Sequence, residues 1–139
     1  MECYVSTDRE KLDIVKIYSY LSEESYWGRD RTMPEVVATI ENSLCFGLYS
    51  MSHEQLGFAR VVTDTVVFAY LMDFVIFGTN QGKGLGKRLI SEIMDHDVIK
   101  KLKTIALKTK DAHGFYELFG FKKVGNSPLW MSIDKVILL

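Results

Sequence analysis

Six residues concentrate the chemistry that spacing alone can suggest: Gln81-Gly82-Lys83-Gly84-Leu85-Gly86. An apolar, strand-like run leads into them, and a helical apolar pattern leaves from Leu85. The first turn of a helix carries amides without partners and partial positive charge. Glycines remove Cβ atoms and allow positive φ, so a backbone of this kind can wrap an anion closely. Lys83, Lys87 and Arg88 add formal positive charge. The expected ligand is a phosphate or pyrophosphate. The two commonest nucleotide motifs do not fit. A G-x-G-x-x-G read from Gly82 would need glycine where Lys87 stands. A phosphate-binding G-x-x-x-x-G-K-[ST] would need Ser or Thr where Gly84 stands, and Gly78 lies one residue too close.

The elements that must position this turn follow from periodicity. Residues 2–6 alternate weakly and predict a first strand. Ile14, Ile17, Tyr18 and Leu21 mark one face of a helix. Ser22 to Arg31 is polar and aromatic, broken by Gly28, and predicts a loop. Thr32 and Glu35 form a capping-box pattern, with Pro34 suited to the first helical turn and Val37, Ile40 and Leu44 the expected buried face. Leu44 to Tyr49 and Leu56 to Thr63 read as a hairpin joined through Ser50 to Glu54. Val66 to Phe77 is almost wholly apolar, with Asp73 its only charge, and predicts a central strand covered on both faces. A helix from Leu85 to Met94 follows, then a strand from Thr104 to Thr109. A helix bearing Ala112, Phe115, Tyr116 and Phe119 ends at Gly120. Phe121 to Val124 and Trp130 to Leu138 predict a closing antiparallel pair. The whole is an α/β (α+β) arrangement in three layers, a mixed central sheet of about six to seven strands flanked by helices on both faces.

Composition narrows the functional classes. The 139 residues suit a single domain, 1–139, and 47% hydrophobic with 25% charged residues is ordinary for a soluble chain. A net charge of −1 argues against a general nucleic-acid binder. Lys83, Lys87, Arg88, Lys100, Lys101, Lys103, Lys108 and Lys110 make the C-terminal half locally basic, either a solvated surface or a patch for an anionic small molecule. Cys3 and Cys45, the only cysteines, form no CxxC pair, so neither a disulfide framework nor a metal site is expected and a reducing cytoplasm fits. No signal-peptide pattern opens the chain, and no apolar run approaches the roughly 18 residues of a membrane span. Val136 to Leu139 leaves a sheet closed within one chain and a homodimer both open.

Gln81 to Gly86 matches the R/Q-x-x-G-x-G/A signature of the GNAT acetyltransferases, and Tyr116-Glu117-Leu118-Phe119-Gly120-Phe121 matches that family's Y-x-x-x-G-F. With a helix and a strand between the two motifs, and the order of elements running over essentially the whole chain, the sequence resembles a GNAT acyltransferase. One departure is Thr109, which stands where the family often carries Asn in N-x-x-A-x-x-x-Y, while Ala112 and Tyr116 match. The resemblance implies acetyl-CoA as co-substrate, with no metal. It places the pyrophosphate on Gln81, Gly82, Lys83, Gly84, Leu85, Gly86 and Lys87, and the pantetheine arm along Phe74, Val75 and Ile76. An amide near Val75 would stabilise the oxyanion, and Thr109 could still hydrogen-bond to the arm.

By the same resemblance Tyr116 would protonate the departing thiolate, since a phenol with an ordinary pKa of about 10 is protonated at neutral pH. Its spacing with Phe115 and Phe119 suits a core aromatic equally. Asp73 is the candidate base, and a structural pair with Arg60 is the alternative. Tyr26, Trp27 and Arg29 would border the acceptor pocket or pack as ordinary loop residues. His53 and His96 read as surface residues, and His113 lies one turn before Tyr116. The implied activity is transfer of an acetyl group to a primary amine, on a small molecule or a protein. A non-catalytic acyl-CoA sensor would share the glycine turn without needing Tyr116.

Overall fold

The computed structural model describes residues 2–135, in two compact units divided after Leu107. In the first unit, β1 (Cys3–Ser6) is followed by α1 (Ile14–Glu23), α2 (Met33–Glu41), β2 (Leu44–Ser50), β3 (Gln55–Thr63) and β4 (Phe68–Ile76). Then come α3 (Leu85–Asp95), the short α4 (Asp97–Lys100) and β5 (Thr104–Leu107). The five strands form one sheet in the order β1-β2-β3-β4-β5. The first four pair antiparallel, and β4 pairs parallel with β5 across the α3–α4 connection.

Each helix begins where local chemistry starts it. Asp13 caps α1 by accepting from Lys16 N. Thr32 and Glu35 form the expected reciprocal capping box on α2, with Pro34 in its first turn. The buried face of α2 is Val36 and Ile40 rather than Val37 and Leu44, because the helix stops at Glu41 and Leu44 already opens β2. Ile17, Leu21, Val36 and Ile40 pack with Cys45, Phe58, Val75 and Phe77 of the sheet and its edge. Phe46 points the other way from its neighbour Cys45, as pleating requires, and meets His96 at the end of α3. The α3 face of Leu85, Leu89, Ile90 and Ile93 is buried. Helices therefore cover both faces of a mixed sheet.

β4 is central, between β3 and β5, and buries residues on both faces: Ala69 and Leu71 on one, and Val75, beside Phe58 in the α1–α2 core, on the other. It starts only at Phe68, and Val66, Val67 and Phe68 are exposed. The second unit, from Lys108, holds α5 (His113–Glu117) and a turn to Gly120, which is left-handed at φ 94° as expected of a terminating glycine. Phe121 to Val124 and Trp130 to Lys135 are irregular, so the closing strand pair is absent among the described residues and the sheet has five strands. Val136 to Leu139 lie outside the described residues.

Candidate functional site

β4 outruns its pairing with β5 and then enters a glycine-rich turn. β5 pairs with β4 only from Phe68 to Leu71, ending at Leu107. Beyond Leu71, β4 continues to Ile76 along β3 through a bulge: Met72 faces Arg60 and Val75 faces Phe58, so Asp73 and Phe74 stand opposite Ala59 alone. Asp73 adopts φ 52°, a left-handed conformation for a residue with a Cβ. Amides along a strand alternate between its two edges. Phe77 N–H donates to Leu56 O on β3 at 2.9 Å. Val75 N–H is therefore turned toward β3 as well, and the amide turned to the opposite edge is that of Ile76.

After Phe77 a 3-10 turn over Gly78–Asn80 delivers the chain to Gln81. Gly82 and Gly84 have φ 77° and 78°, and a Cβ at either would meet nothing within 4 Å. Residues 81–84 are all exposed. Gly84 is the N-cap of α3 and makes no side-chain cap, so the amides of Leu85, Gly86 and Lys87 are left to a ligand. Gln81 Nε2 donates to Ile76 O at 2.9 Å and to Tyr20 Oη at 3.0 Å, joining the turn to the end of β4 and to α1. Lys83 and Lys87 are exposed, with no ion pair among the described residues. Arg88 instead pairs with Glu92 at 3.0 Å and reaches Cys3 Sγ, so it holds α3 to itself and to β1 rather than facing the turn.

On the α1 side lies a recess of about 180 Å³, lined by Lys16, Ser19, Tyr20, Glu23, Glu24 and Phe77. Lys16 Nζ donates to Gln55 O at 2.6 Å, lies 3.6 Å from Glu54 and sits 5.2 Å from the centre of the Phe77 ring. Glu23 and Glu24 sit at the C-terminal turn of α1, where no basic residue balances them. Carboxylates are disfavoured at that end of a helix, so their field is available to a cationic group. Periodicity had marked Tyr18 and Leu21 on this helix; Tyr20, Glu23 and Glu24 face the recess because its wall is Phe77, distant in sequence.

Asp73 takes the pairing alternative. Its Oδ2 accepts from Arg60 Nε at 2.6 Å and from Arg31 Nη1 at 2.5 Å, and its side chain is 1% exposed. Oδ1 is buried without a hydrogen-bond partner among the described residues. Oδ2 is thus committed to two guanidiniums, and Oδ1 is shielded from solvent. Tyr26 and Trp27 stack edge to face at 4.9 Å. Trp27 packs on the α1–α2 core, with Nε1 buried and unpartnered among the described residues. Arg29 is exposed, its Nε donating to Ser25 O. Arg31, the residue that ties this segment to Asp73, was not legible as a site residue, because its partner is 42 positions away.

In the second unit Tyr116 is buried, with Phe115 and Phe121 rings at 5.1 and 5.8 Å. Thr109 Oγ1 accepts from Ala112 N at 3.1 Å at the start of α5, which leaves its hydroxyl hydrogen available to donate. His113 is exposed, His53 is exposed and bonds Tyr4 Oη, and His96 Nδ1 accepts from Val98 N. Cys45 is a buried free thiol. Burial, opposed in part by Arg9 and Arg60, pushes it up to about 11, so it is protonated at neutral pH and no thiolate nucleophile arises there.

The family description "Acetyltransferase (GNAT) domain" matches residues 39–123, a span that includes the bulge, the glycine turn and Tyr116. The chain belongs to the GNAT acetyltransferase family. A GNAT-family protein of known structure from Xanthomonas campestris pv. campestris is 35% identical and superposes with a TM-score of 0.87, covering 96% of this chain and 94% of that one. Among curated relatives, the uncharacterised N-acetyltransferase ycf52 of Gracilaria tenuistipitata var. liui is 35% identical over 68% of this chain and 54% of its own length. The Arabidopsis thaliana protein named GCN5-related N-acetyltransferase 1, chloroplastic, is 27% identical over 81% and 57%. This GNAT chain spans a little over half the length of the curated relatives it matches. Among its described residues no helix is long and apolar enough to cross a membrane.

Proposed function

We propose that the protein is an N-acetyltransferase that moves the acetyl group of acetyl-CoA to a primary amine by direct attack, residues 1–139 serving as one acyltransferase domain. The observation that carries this reading is the succession of a strand edge without a β5 partner and an open, left-handed glycine turn at the start of α3. An extended arm ending in a pyrophosphate has that shape and charge. Acetyl-CoA supplies an activated thioester. Gly82, Gly84 and the first-turn amides of α3 hold the pyrophosphate, with Gln81, Lys83 and Lys87 beside them. Phe74 to Ile76 receive the arm, and the Ile76 amide is the donor suited to the developing oxyanion. Thr109 donates to the arm, and Tyr116 returns a proton to the leaving thiolate, in the roles that the family resemblance assigns them.

The recess beside Phe77 is the acceptor side, with Glu23 and Glu24 in its lining drawing in an ammonium; Tyr26, Trp27 and Arg29, on the segment that follows Glu24, border the acceptor outside that lining. The acceptor is a small amine or an exposed protein amine, the setting is cytoplasmic, and no metal, nucleic acid or membrane takes part. Exposed apolar residues at Leu129, Met131 and Ile133 support a homodimer.

A panel holding a polyamine, an aminoglycoside, an amino acid and a peptide N-terminus, assayed for free thiol release from acetyl-CoA, tests the reaction. Tyr116→Phe should lower kcat by about a hundredfold or more, with acetyl-CoA affinity by calorimetry within twofold. Coenzyme binding without thiol release for any amine would favour the non-catalytic sensor. Unchanged turnover in Tyr116→Phe would remove the acid assignment.

A further inference from the structure

Asp73 sits at the one place in β4 where the strand departs from its ladder, and it does so with a left-handed backbone that glycine would adopt more easily. What aspartate adds there is its carboxylate. Arg60 already neutralises it from within the sheet. Each nitrogen of that guanidinium has a partner: Nε on Asp73, Nη1 on Ser43 Oγ at 3.2 Å and Nη2 on Met72 Sδ at 3.4 Å. The side chain is 7% exposed. The bulge therefore has its counter-charge without help from any loop.

Arg31 is a second guanidinium on the same oxygen, and it comes from elsewhere. It ends the segment Glu24 to Arg31, directly before the Thr32 cap of α2. That segment folds on itself: Gly28 N donates to Ser25 Oγ, Arg29 Nε to Ser25 O and Arg31 N to Gly28 O, while Ser25 Oγ donates to Leu21 O on α1. Its start is thus hung on α1, and its end is pinned to β4 through Asp73. The side chain of Arg31 is 19% exposed and spends one donor on the clamp. A carboxylate shared by two guanidiniums leaves net positive charge partly buried, an arrangement that burial alone does not favour. A stabilising role would need only Arg60.

We propose that Arg31 is a positioning residue: through Asp73 it locks the Tyr26–Trp27–Arg29 segment to the bulge of β4, and so sets the acceptor side of the site without contacting the coenzyme. This rests on the acetyltransferase reading above, in which that segment borders the acceptor and the bulge precedes the arm-binding residues. Removing Arg31 leaves Asp73 paired with Arg60, so the sheet and the glycine turn persist while the segment loses its pin.

The test uses the full chain carrying Trp130→Phe, so that Trp27 is the single tryptophan, with Arg31→Ala and Arg31→Lys made in that background. Arg31→Ala should shift Trp27 emission to the red and increase its quenching by acrylamide. With the fastest amine of the panel, acceptor KM should rise by roughly tenfold while kcat and acetyl-CoA affinity stay within about twofold. Arg31→Lys should recover part of both changes. Unchanged Trp27 emission with unchanged acceptor KM would overturn the proposal, as would an equal loss of affinity for acceptor and acetyl-CoA. If no amine is acetylated by the parent protein, the acetyltransferase reading fails on its own, and the Trp27 emission still decides whether Arg31 pins the segment.

Discussion

Tyr49 is 1% exposed and stacks on Tyr4 at 5.2 Å, yet its hydroxyl is buried with no partner among the described residues. Tyr49→Phe keeps the ring and removes the unsatisfied group, and should raise the unfolding free energy in urea by about 1 kcal/mol. A loss of that size would show that the hydroxyl is satisfied. Burial pushes the same phenol up to about 12, and the Cys45 thiol up to about 11 from its ordinary 9.0. Well below pH 9 both states keep both protons and neither group affects stability. Above it the unfolded thiol ionises while the folded thiol stays protonated to about pH 11, and the phenol repeats this from 10 to about 12. The unfolded state then binds fewer protons, so stability falls as pH rises through that window. Thermal melts from pH 8 to 11 should show the decline, and Tyr49→Phe should flatten its upper part.

Among the elements, the glycine turn and the α2 cap give the clearest tests. At Gly84 a methyl group would meet open space, so Gly84→Ala carries only the cost of a left-handed residue, roughly 1–2 kcal/mol. Any larger drop in acetyl-CoA affinity than in stability would report lost access to the α3 amides. Calorimetry beside urea unfolding separates the two. Thr32→Ala should cost about 1 kcal/mol through the lost cap. The capping box was legible because its partners lie three residues apart. The path of β4 was not: Val66 to Phe77 spells one apolar run broken only by Asp73, whereas the strand starts at Phe68 and the bulge at Asp73 and Phe74 changes which face its residues take. A bulge depends on what the neighbouring strand supplies, and here that is Ala59 alone and the guanidinium of Arg60.

For the whole molecule, ligand linkage is the broadest check. If acetyl-CoA binds the folded chain and not the unfolded one, a hundredfold excess over its dissociation constant stabilises by about 2.7 kcal/mol. A melting temperature indifferent to acetyl-CoA, but not to a change of pH, would contradict the coenzyme site. Leu129, Met131 and Ile133 are exposed by 85%, 93% and 89%. The homodimer proposal therefore predicts that sedimentation across a range of concentrations reaches twice the chain mass. It also predicts that Met131→Asp returns the chain to monomer without altering acetyl-CoA affinity.

The glycine turn, the order of elements from β1 to α5 apart from the short α4, and the family were determined by the sequence itself, because each is encoded in residues a few positions apart: alternating glycines ahead of a helix, a Tyr ahead of Gly-Phe, apolar faces at helical spacing. Tertiary structure alone decided which of the open charge pairings forms and which residues line the recess beside Phe77. For Asp73 the sequence leaves a pair with Arg60 open; the fold makes that pair and adds Arg31, 42 positions away. Glu23 and Glu24 read as loop-end residues until Phe77 closes the recess beside them. Electrostatic partners are set by distance in space, and a buried charge takes whichever neighbour the sheet register delivers.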